Sequence, residues 1–134
     1  MASLTLKHVD RAFPNGYEAV KDLNFQIDDG EFVILTGPSG SGKSAVMRMI
    51  AGLDEVKSGE IWIGDKLVNS LPPEERGIAM IFQNYTVYSR MTVLENVELG
   101  LRLRGVEEKE IGRRTMEVME LLDIVDVRHS KVKS

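Results

Sequence analysis

Eight consecutive residues decide the fold of this chain: Gly37-Pro38-Ser39-Gly40-Ser41-Gly42-Lys43-Ser44. They match the pattern G-x-x-x-x-G-K-[ST] at every fixed position. The apolar run Phe32–Leu35 precedes them, and a helical pattern, Ala45–Ala51, follows them. A strand, a glycine-rich turn and a helix N-terminus in this order form a phosphate-binding loop. The sequence therefore predicts a site for a nucleoside triphosphate.

Each residue type in the loop has a chemical reason. Gly37, Gly40 and Gly42 let the backbone curl with no Cβ in the way, so that successive N–H groups converge on phosphate oxygens. The following helix adds unpaired N–H donors and its positive dipole end. Lys43 is expected to reach the β- and γ-phosphates, and the Ser44 hydroxyl to bind Mg²⁺. The alternative interpretation is a glycine-rich turn with an incidental lysine, which the full match and its flanking pattern disfavour.

Composition narrows the class of protein. With 134 residues, 43% of them hydrophobic, the chain has the size of one domain with a buried core. A net charge of −4 without a basic stripe argues against a nucleic-acid partner. The absence of cysteine excludes disulfides and thiolate metal sites, and suits a reducing compartment. No apolar run approaches the roughly 20 residues of a membrane span, and the first residues begin no signal peptide, which predicts a cytosolic chain.

The N-terminal part predicts antiparallel β-structure. A strand-like run at Leu4–Val9, a turn at Pro14–Gly16 and alternation at Leu23–Ile27 suggest one hairpin. Two more runs, Glu60–Ile63 and Lys66–Val68, flank a Gly-Asp pair, which is a two-residue hairpin signal. We expect a second kind of sheet as well.

That second sheet would contain the run before the phosphate loop and the continuous apolar run Gly77–Phe82, which predicts a buried strand. The last third of the chain has a helical period. Thr92 with Glu95 forms a capping box for one helix, and Gly105 would stop it. A second helix is expected from about residue 107 to 122, with Ile111, Met116, Met119 and Leu122 near one face. Its methionines are expected to fill the core, with a ligand surface as the alternative.

From Leu4 to about Val127 the sequence resembles the N-terminal part of an ATP-binding-cassette (ABC) ATPase, the subunit that drives bacterial carbohydrate and glycerol-3-phosphate importers. The resemblance lies in the loop and its continuation Met47–Leu53, in Ser58–Ile61 and in Ile78–Tyr85. The last segment is the more discriminating, because a phosphate loop alone is also typical of kinases, small GTPases and helicases. A glutamine that ends a later apolar strand, followed by Asn-Tyr and then Met-Thr-Val, is specific to this branch.

The resemblance implies an α/β P-loop NTPase fold, of which this chain would be the N-terminal half. Residues 1–134 would form a partial nucleotide-binding domain. Within it, residues 1–91 would form the antiparallel β subdomain and part of the phosphate-loop core sheet through the Q-loop, and residues 92–134 the start of the helical subdomain. The signature motif, the strand ending in Asp-Glu and the switch histidine would follow Ser134, so the chain is expected to be truncated. Both predicted core strands would then have unpaired edges, which favours aggregation or partial order.

The resemblance also implies site residues. ATP would be bound by Phe13, Gly37, Ser39, Gly40, Ser41, Gly42, Lys43, Ser44 and Ala45. Lys43 and Gln83 would be catalytic, and Ser44 and Gln83 would bind Mg²⁺, since an amide coordinates metal without adding charge. Phe13 lies where the family places an aromatic ring that stacks on adenine, with Tyr17 as the competing candidate. Packing in a strand is the alternative for Phe13, and a polar strand end for Gln83.

The implied function is that of the ATP-binding subunit of an ABC importer for a carbohydrate or glycerol-3-phosphate-like solute. Residues 84–91 would face the transmembrane permease subunits, and a second ATPase subunit would complete a homodimer or a pair. The chain would then be cytoplasmic and peripheral on the inner face of the cell membrane. The alternative is a nucleotide-binding module that does not hydrolyse ATP. An unrelated small-molecule kinase is disfavoured, because no lid or acceptor-site arginine cluster follows the loop.

Several residues depart from the family pattern. Ala45 stands where the family usually has a threonine that helps to bind the α-phosphate, and Ser89-Arg90 replaces a usual Pro-His. Asp54-Glu55 follows a helix and is a poor carrier of a magnesium ligand and a base. His8 and His129 are lone histidines and are expected to be surface or structural residues. These 134 residues are therefore expected to bind ATP without hydrolysing it.

Overall fold

A computed structural model describes residues 2–84 and 87–132. The helices and strands are β1 (Leu4–Ala12), β2 (Glu18–Ile27), α1 (Lys43–Ala51), β3 (Ser58–Ile63), β4 (Lys66–Leu67), α2 (Val93–Leu103) and α3 (Glu108–Leu121), with short 3₁₀ turns at Pro73–Glu75 and Val125–Val127. The chain divides into two compact units, residues 1–80 and 81–134. The subdomains proposed from the sequence, 1–91 and 92–134, differ from this division and stay a prediction.

The first unit contains one antiparallel sheet with the strand order β2-β1-β3-β4. The turn between β1 and β2 is closed by the Phe13 N–H, which donates to the Tyr17 carbonyl at 2.9 Å. The Asn15 side chain accepts from the Tyr17 N–H at 3.1 Å, as asparagine does in turns of this kind. Both predicted hairpins are confirmed.

The core of this unit lies between the sheet and α1. It consists of buried apolar side chains from both: Leu6, Val9, Val20, Ala45, Val46, Met49, Ile61 and Val68. Val46 and Met49 are three residues apart and therefore share one face of α1. The end of α1 is held by Arg76, which is 7% exposed and donates to the carbonyls of Met49 and Ile50 at 2.8 and 3.2 Å. Burial lowers the pKa of this guanidinium.

The second predicted sheet is absent from the described residues. Neither Phe32–Leu35 nor Ile78–Phe82 forms a strand, and the exposed fractions of Phe32 and Ile81 are 88% and 92%. The prediction of a buried strand at Gly77–Phe82 is therefore wrong for this chain. A strand of that kind needs neighbours that pair its backbone groups and cover both faces. No described strand pairs with either run.

The first α-helix of the second unit is α2, and its predicted capping box is confirmed. The Thr92 hydroxyl accepts from the Glu95 N–H at 3.1 Å, and the Glu95 carboxylate accepts from the Thr92 N–H at 2.7 Å. In α3 the buried residues are Ile111, Thr115 and Met119, each four positions apart. The predicted face is wrong at two positions, Met116 and Leu122, which are 38% and 59% exposed. Met116 directly follows Thr115 and so points about 100° away from it around the helix, and Leu122 lies past Leu121, the last residue of α3. Among the described helices, none has the length and apolar character that crossing a membrane requires.

Candidate functional site

The glycine-rich loop joins the first hairpin to α1 and ends at Gly42, the residue before the helix. Gly42 has a φ of 92°, a conformation that residues with a Cβ rarely adopt. A Cβ at this position would also lie 2.5 Å from the Ala19 carbonyl oxygen. The end of the loop therefore lies directly against the start of β2, where only glycine fits.

The side chain of Lys43 folds back across the loop. Its ammonium donates to the carbonyls of Gly37 and Pro38, both at 2.7 Å, and to the Ser41 hydroxyl at 3.3 Å. An ammonium has three donors, so these oxygens account for all of them. No carboxylate neutralises Lys43 through an ion pair within the described part of the chain. The loop thus holds a positive charge that is solvated by two of its carbonyls and by one of its hydroxyls.

The N-terminus of α1 is left open. No side chain caps it, and its first turn contains no acidic residue. By contrast, α2 begins with a capping box and an acidic side chain. Open N–H donors, the positive end of the helix dipole and the Lys43 ammonium all lie at one end of α1. This end of the helix is suited to an anion.

A cavity of about 610 Å³ lies over the loop. Its lining includes Phe13, Tyr17, Ala19, Ser39, Gly40, Ser41, Gly42, Lys43, Ser44 and Ala45. A volume of a few hundred cubic ångströms is typical of sites for small molecules. Every residue predicted from the sequence to bind nucleotide lines this cavity except Gly37, whose carbonyl instead contacts the ammonium of Lys43.

Two aromatic rings lie at the cavity, those of Phe13 and Tyr17. Their planes are within 13° of parallel and their centroids are 6.3 Å apart. Phe13 is 40% exposed and Tyr17 is 58% exposed, so a planar ligand has access to either ring. Both candidates for base stacking are thus in position, and the cavity lining alone does not choose between them.

Gln83 belongs to the second unit, whereas the loop belongs to the first. The two predicted metal ligands, Ser44 and Gln83, are therefore not brought together within one unit. The magnesium site stays a prediction that rests on the sequence.

Asp54, which the sequence disfavours as a magnesium ligand, is paired with arginines. Arg48 donates to both of its carboxylate oxygens, at 3.0 and 3.1 Å, and an Arg11 nitrogen lies 3.8 Å from it. The Arg48 guanidinium holds the pKa of Asp54 below its usual value. None of the described residues that line the cavity is acidic.

Sequence reasoning missed two residues, Ala19 and Arg11. Ala19 was missed because its contact with Gly42 is made by a backbone carbonyl, which leaves no sequence signal. Arg11 lies beside the Phe13 ring, with 5.4 Å between the guanidinium carbon and the ring centroid. The sequence did contain a signal for this contact, because Arg11 and Phe13 are two residues apart and such residues lie on the same face of extended chain.

Comparison with known proteins agrees with the fold. A family model described as ABC transporter matches residues 20–134. The chain is similar to the sn-glycerol-3-phosphate import ATP-binding protein of Rhodopseudomonas palustris (strain BisA53), at 45% identity over 99% of this chain and 37% of that protein. It is likewise similar to the maltose/maltodextrin import ATP-binding protein of Yersinia pestis, at 48% identity over 100% of this chain and 36% of that protein.

The chain thus spans about a third of the length of the curated relatives that it matches. Among solved structures, a post-hydrolysis dimer of an ATP-binding cassette bound to ADP and phosphate matches with a TM-score of 0.80 and 31% identity, over 96% of this chain and 61% of that one. A nucleotide-free cassette matches with a TM-score of 0.77 at 24% identity, which supports the fold alone. The resemblance and the fold class expected from the sequence are confirmed.

Proposed function

Because the chain belongs to the ABC transporter family, we propose that it binds ATP as the N-terminal portion of the ATP-binding subunit of an importer. One observation carries the proposal. The Lys43 ammonium lies among the oxygens of Gly37, Pro38 and Ser41, at the open N-terminus of α1 and at the edge of a cavity large enough for a nucleotide.

In the proposed complex the triphosphate lies over the loop. Backbone N–H groups around Gly40 and Gly42 donate to phosphate oxygens, and Lys43 supplies the positive charge beside the β- and γ-phosphates. Three loop oxygens already hold the ammonium, so its position is set before ligand arrives. To donate to the phosphates, the ammonium exchanges some of these loop oxygens for phosphate oxygens, because its three donors are already engaged.

The residues at the cavity fit Mg²⁺ as a companion of the phosphates. Ser44 offers an exposed hydroxyl in the first turn of α1. Mg²⁺ prefers oxygen ligands and, beside phosphates, keeps several waters as ligands. One hydroxyl from the chain can therefore complete a coordination shell that is otherwise formed by phosphate and water oxygens. Bound there, the ion would neutralise phosphate charge. Gln83 is the proposed second ligand, with its amide oxygen as the donor.

Hydrolysis, transport and assembly belong to the proposal for the whole protein. The named relatives are ATP-binding proteins for import of sn-glycerol-3-phosphate and of maltose or maltodextrin. By analogy, a carbohydrate or glycerol-3-phosphate-like solute would be imported by permease subunits that contact residues 84–91, with a second ATPase subunit as partner on the inner face of the membrane. The second candidate function is binding without hydrolysis, which is favoured by the absence of acidic residues from the described cavity lining.

Titration of the chain with a fluorescent ATP analogue and Mg²⁺ tests the proposal. Lys43→Ala removes the charge aimed at the phosphates and is expected to abolish binding. Lys66→Ala, an exposed lysine in β4, is the control for loss of a positive charge and is expected to bind normally. Equal affinity for the wild-type chain and a folded Lys43→Ala variant would exclude the loop as the phosphate site.

A further inference from the structure

The Phe13 ring at the cavity is in contact with a cation. The Arg11 guanidinium lies over this ring, with its carbon 5.4 Å from the centroid. The Arg11 side chain is only 20% exposed, which strengthens a cation–π contact relative to one in open solvent. Tyr17 has no such contact among the described residues.

The guanidinium is itself held in place from the other direction. An Nη atom of Arg11 lies 3.8 Å from the carboxylate of Asp54, which is 17% exposed. A second Nη atom donates to the Ala12 carbonyl at 3.1 Å. The Nε atom is buried without a hydrogen-bond partner among the described residues. Arg11 is thus fixed by one carboxylate, one carbonyl and one ring.

Asp54 also connects this arrangement to the phosphate-loop helix. Arg48, in the last turn of α1, donates to both carboxylate oxygens of Asp54. The contacts of Arg48, Asp54 and Arg11 therefore connect the helix that follows the phosphate loop with the aromatic ring of Phe13.

We propose that Arg11 is a positioning residue for the nucleotide base: held by Asp54, it fixes the Phe13 ring so that the base stacks on Phe13 and not on Tyr17. The inference rests on the proposed function of the same site. A ring that is already fixed loses less freedom when a planar ligand stacks on it, so the base binds more tightly.

The test separates the base from the phosphates. The affinities of Mg-ATP and of Mg-tripolyphosphate, which has no base, are measured for the wild-type chain by calorimetry and again for Arg11→Met. We expect Arg11→Met to lower the affinity for Mg-ATP by about three- to tenfold, which corresponds to the loss of a partly desolvated cation–π contact. The affinity for tripolyphosphate is expected to be unchanged. Arg11→Lys keeps a cation and is expected to retain most of the ATP affinity.

The chain offers a matched control on the same strand. Lys7 in β1 lies over the Trp62 ring, 5.7 Å from its centroid, and neither residue lines the cavity. Lys7→Met removes a cation–π contact of the same kind, made by an exposed lysine, and is expected to leave both affinities unchanged. A double-mutant cycle completes the test: Arg11→Met and Phe13→Leu should be non-additive for ATP, whereas Arg11→Met and Tyr17→Leu should add.

The contradicting outcomes are distinct. Equal weakening of ATP and tripolyphosphate by Arg11→Met would mean a general structural role and would overturn the inference, as would no change in either. If Arg11→Met does not fold, Asp54→Asn takes its place, with a smaller loss of ATP affinity expected and none for tripolyphosphate. A wild-type chain that binds neither ligand would overturn the proposed function, and the inference with it.

Discussion

The α-carbon of Gly42 faces the Ala19 carbonyl so closely that a Cβ there would lie 2.5 Å from its oxygen. This contact presses the end of the phosphate loop against the start of β2. It explains why the backbone of this solvent-exposed loop has a fixed conformation just before α1. The position of Lys43, the next residue, depends on it.

Gly42→Ala is expected to destabilise the first unit and to abolish nucleotide binding, because the new methyl group must displace β2 or the loop. Gly30→Ala is the matched control. Gly30 has a φ of 83°, close to the 92° of Gly42, but has nothing within 4 Å of an added Cβ. It should lose only the roughly 1–2 kcal/mol of left-handed backbone strain and keep its affinity. Urea denaturation and nucleotide titration measure both effects. Equal behaviour of the two variants would show that strain, not the Ala19 contact, matters.

Ala45→Thr tests the departure from the family pattern. Ala45 is 9% exposed and lines the cavity, so we expect a threonine hydroxyl there to donate to the α-phosphate of bound nucleotide. One such hydrogen bond, about 0.5–1.5 kcal/mol, corresponds to tighter binding by up to about tenfold. We expect calorimetry to show a few-fold gain with an unchanged dependence on Mg²⁺. A variant that binds no better would mean that the backbone already satisfies that oxygen.

In α3, Glu110 gives a pH-dependent prediction. Hydrogen bonds from Arg113 and Arg114 lower the pKa of Glu110 from 4.5 to about 2. A carboxyl whose pKa is lower in the folded state adds stability that is complete above pH 4.5 and is lost as the pH falls through about 2. Glu110→Gln should therefore melt below the wild type at pH 6, and the difference should shrink between pH 4.5 and 2. Circular dichroism measures the melting. Glu120→Gln on the same helix is the control, and a difference independent of pH would contradict the assignment.

The 134 residues are expected to bind ATP without turning it over. Phosphoryl transfer needs a base or an oriented water beside the γ-phosphate, and no acidic residue is found in the described cavity lining. A general base is worth about 10²–10⁴ in rate. We expect phosphate release at background level at millimolar Mg-ATP. Release that Lys43→Ala eliminates would reveal a base within these residues.

The parts of the fold that were predicted from the sequence are those set by interactions between residues close together in the chain. The hairpin turn depends on Asn15, and the start of α2 on Thr92 and Glu95, all within a few residues of their partners. The run Gly77–Phe82 was misread because a buried strand is defined by neighbours that its own sequence does not contain.

The site was predictable to a similar extent. The loop pattern identified Lys43 and its neighbours, because their backbone geometry and charge follow from residue type. The contact of Arg11 with Asp54 was missed, since it joins residues far apart in the chain. His8 is a further example: no partner was predicted for it, yet its Nδ1 lies 2.7 Å from Asp22 Oδ1 across the first hairpin.

Backbone amide NMR of the labelled chain, titrated with Mg-ATP, tests the central claim most directly, because it reports on the loop residue by residue. The predicted result is saturable shifts of the Gly40, Gly42 and Lys43 amides, with Gly64 and Gly105 unchanged. These shifts should be absent in Lys43→Ala. Saturable binding that leaves the three loop amides unmoved, or no binding by a folded chain, would contradict the assignment of residues 37–44 as the phosphate site.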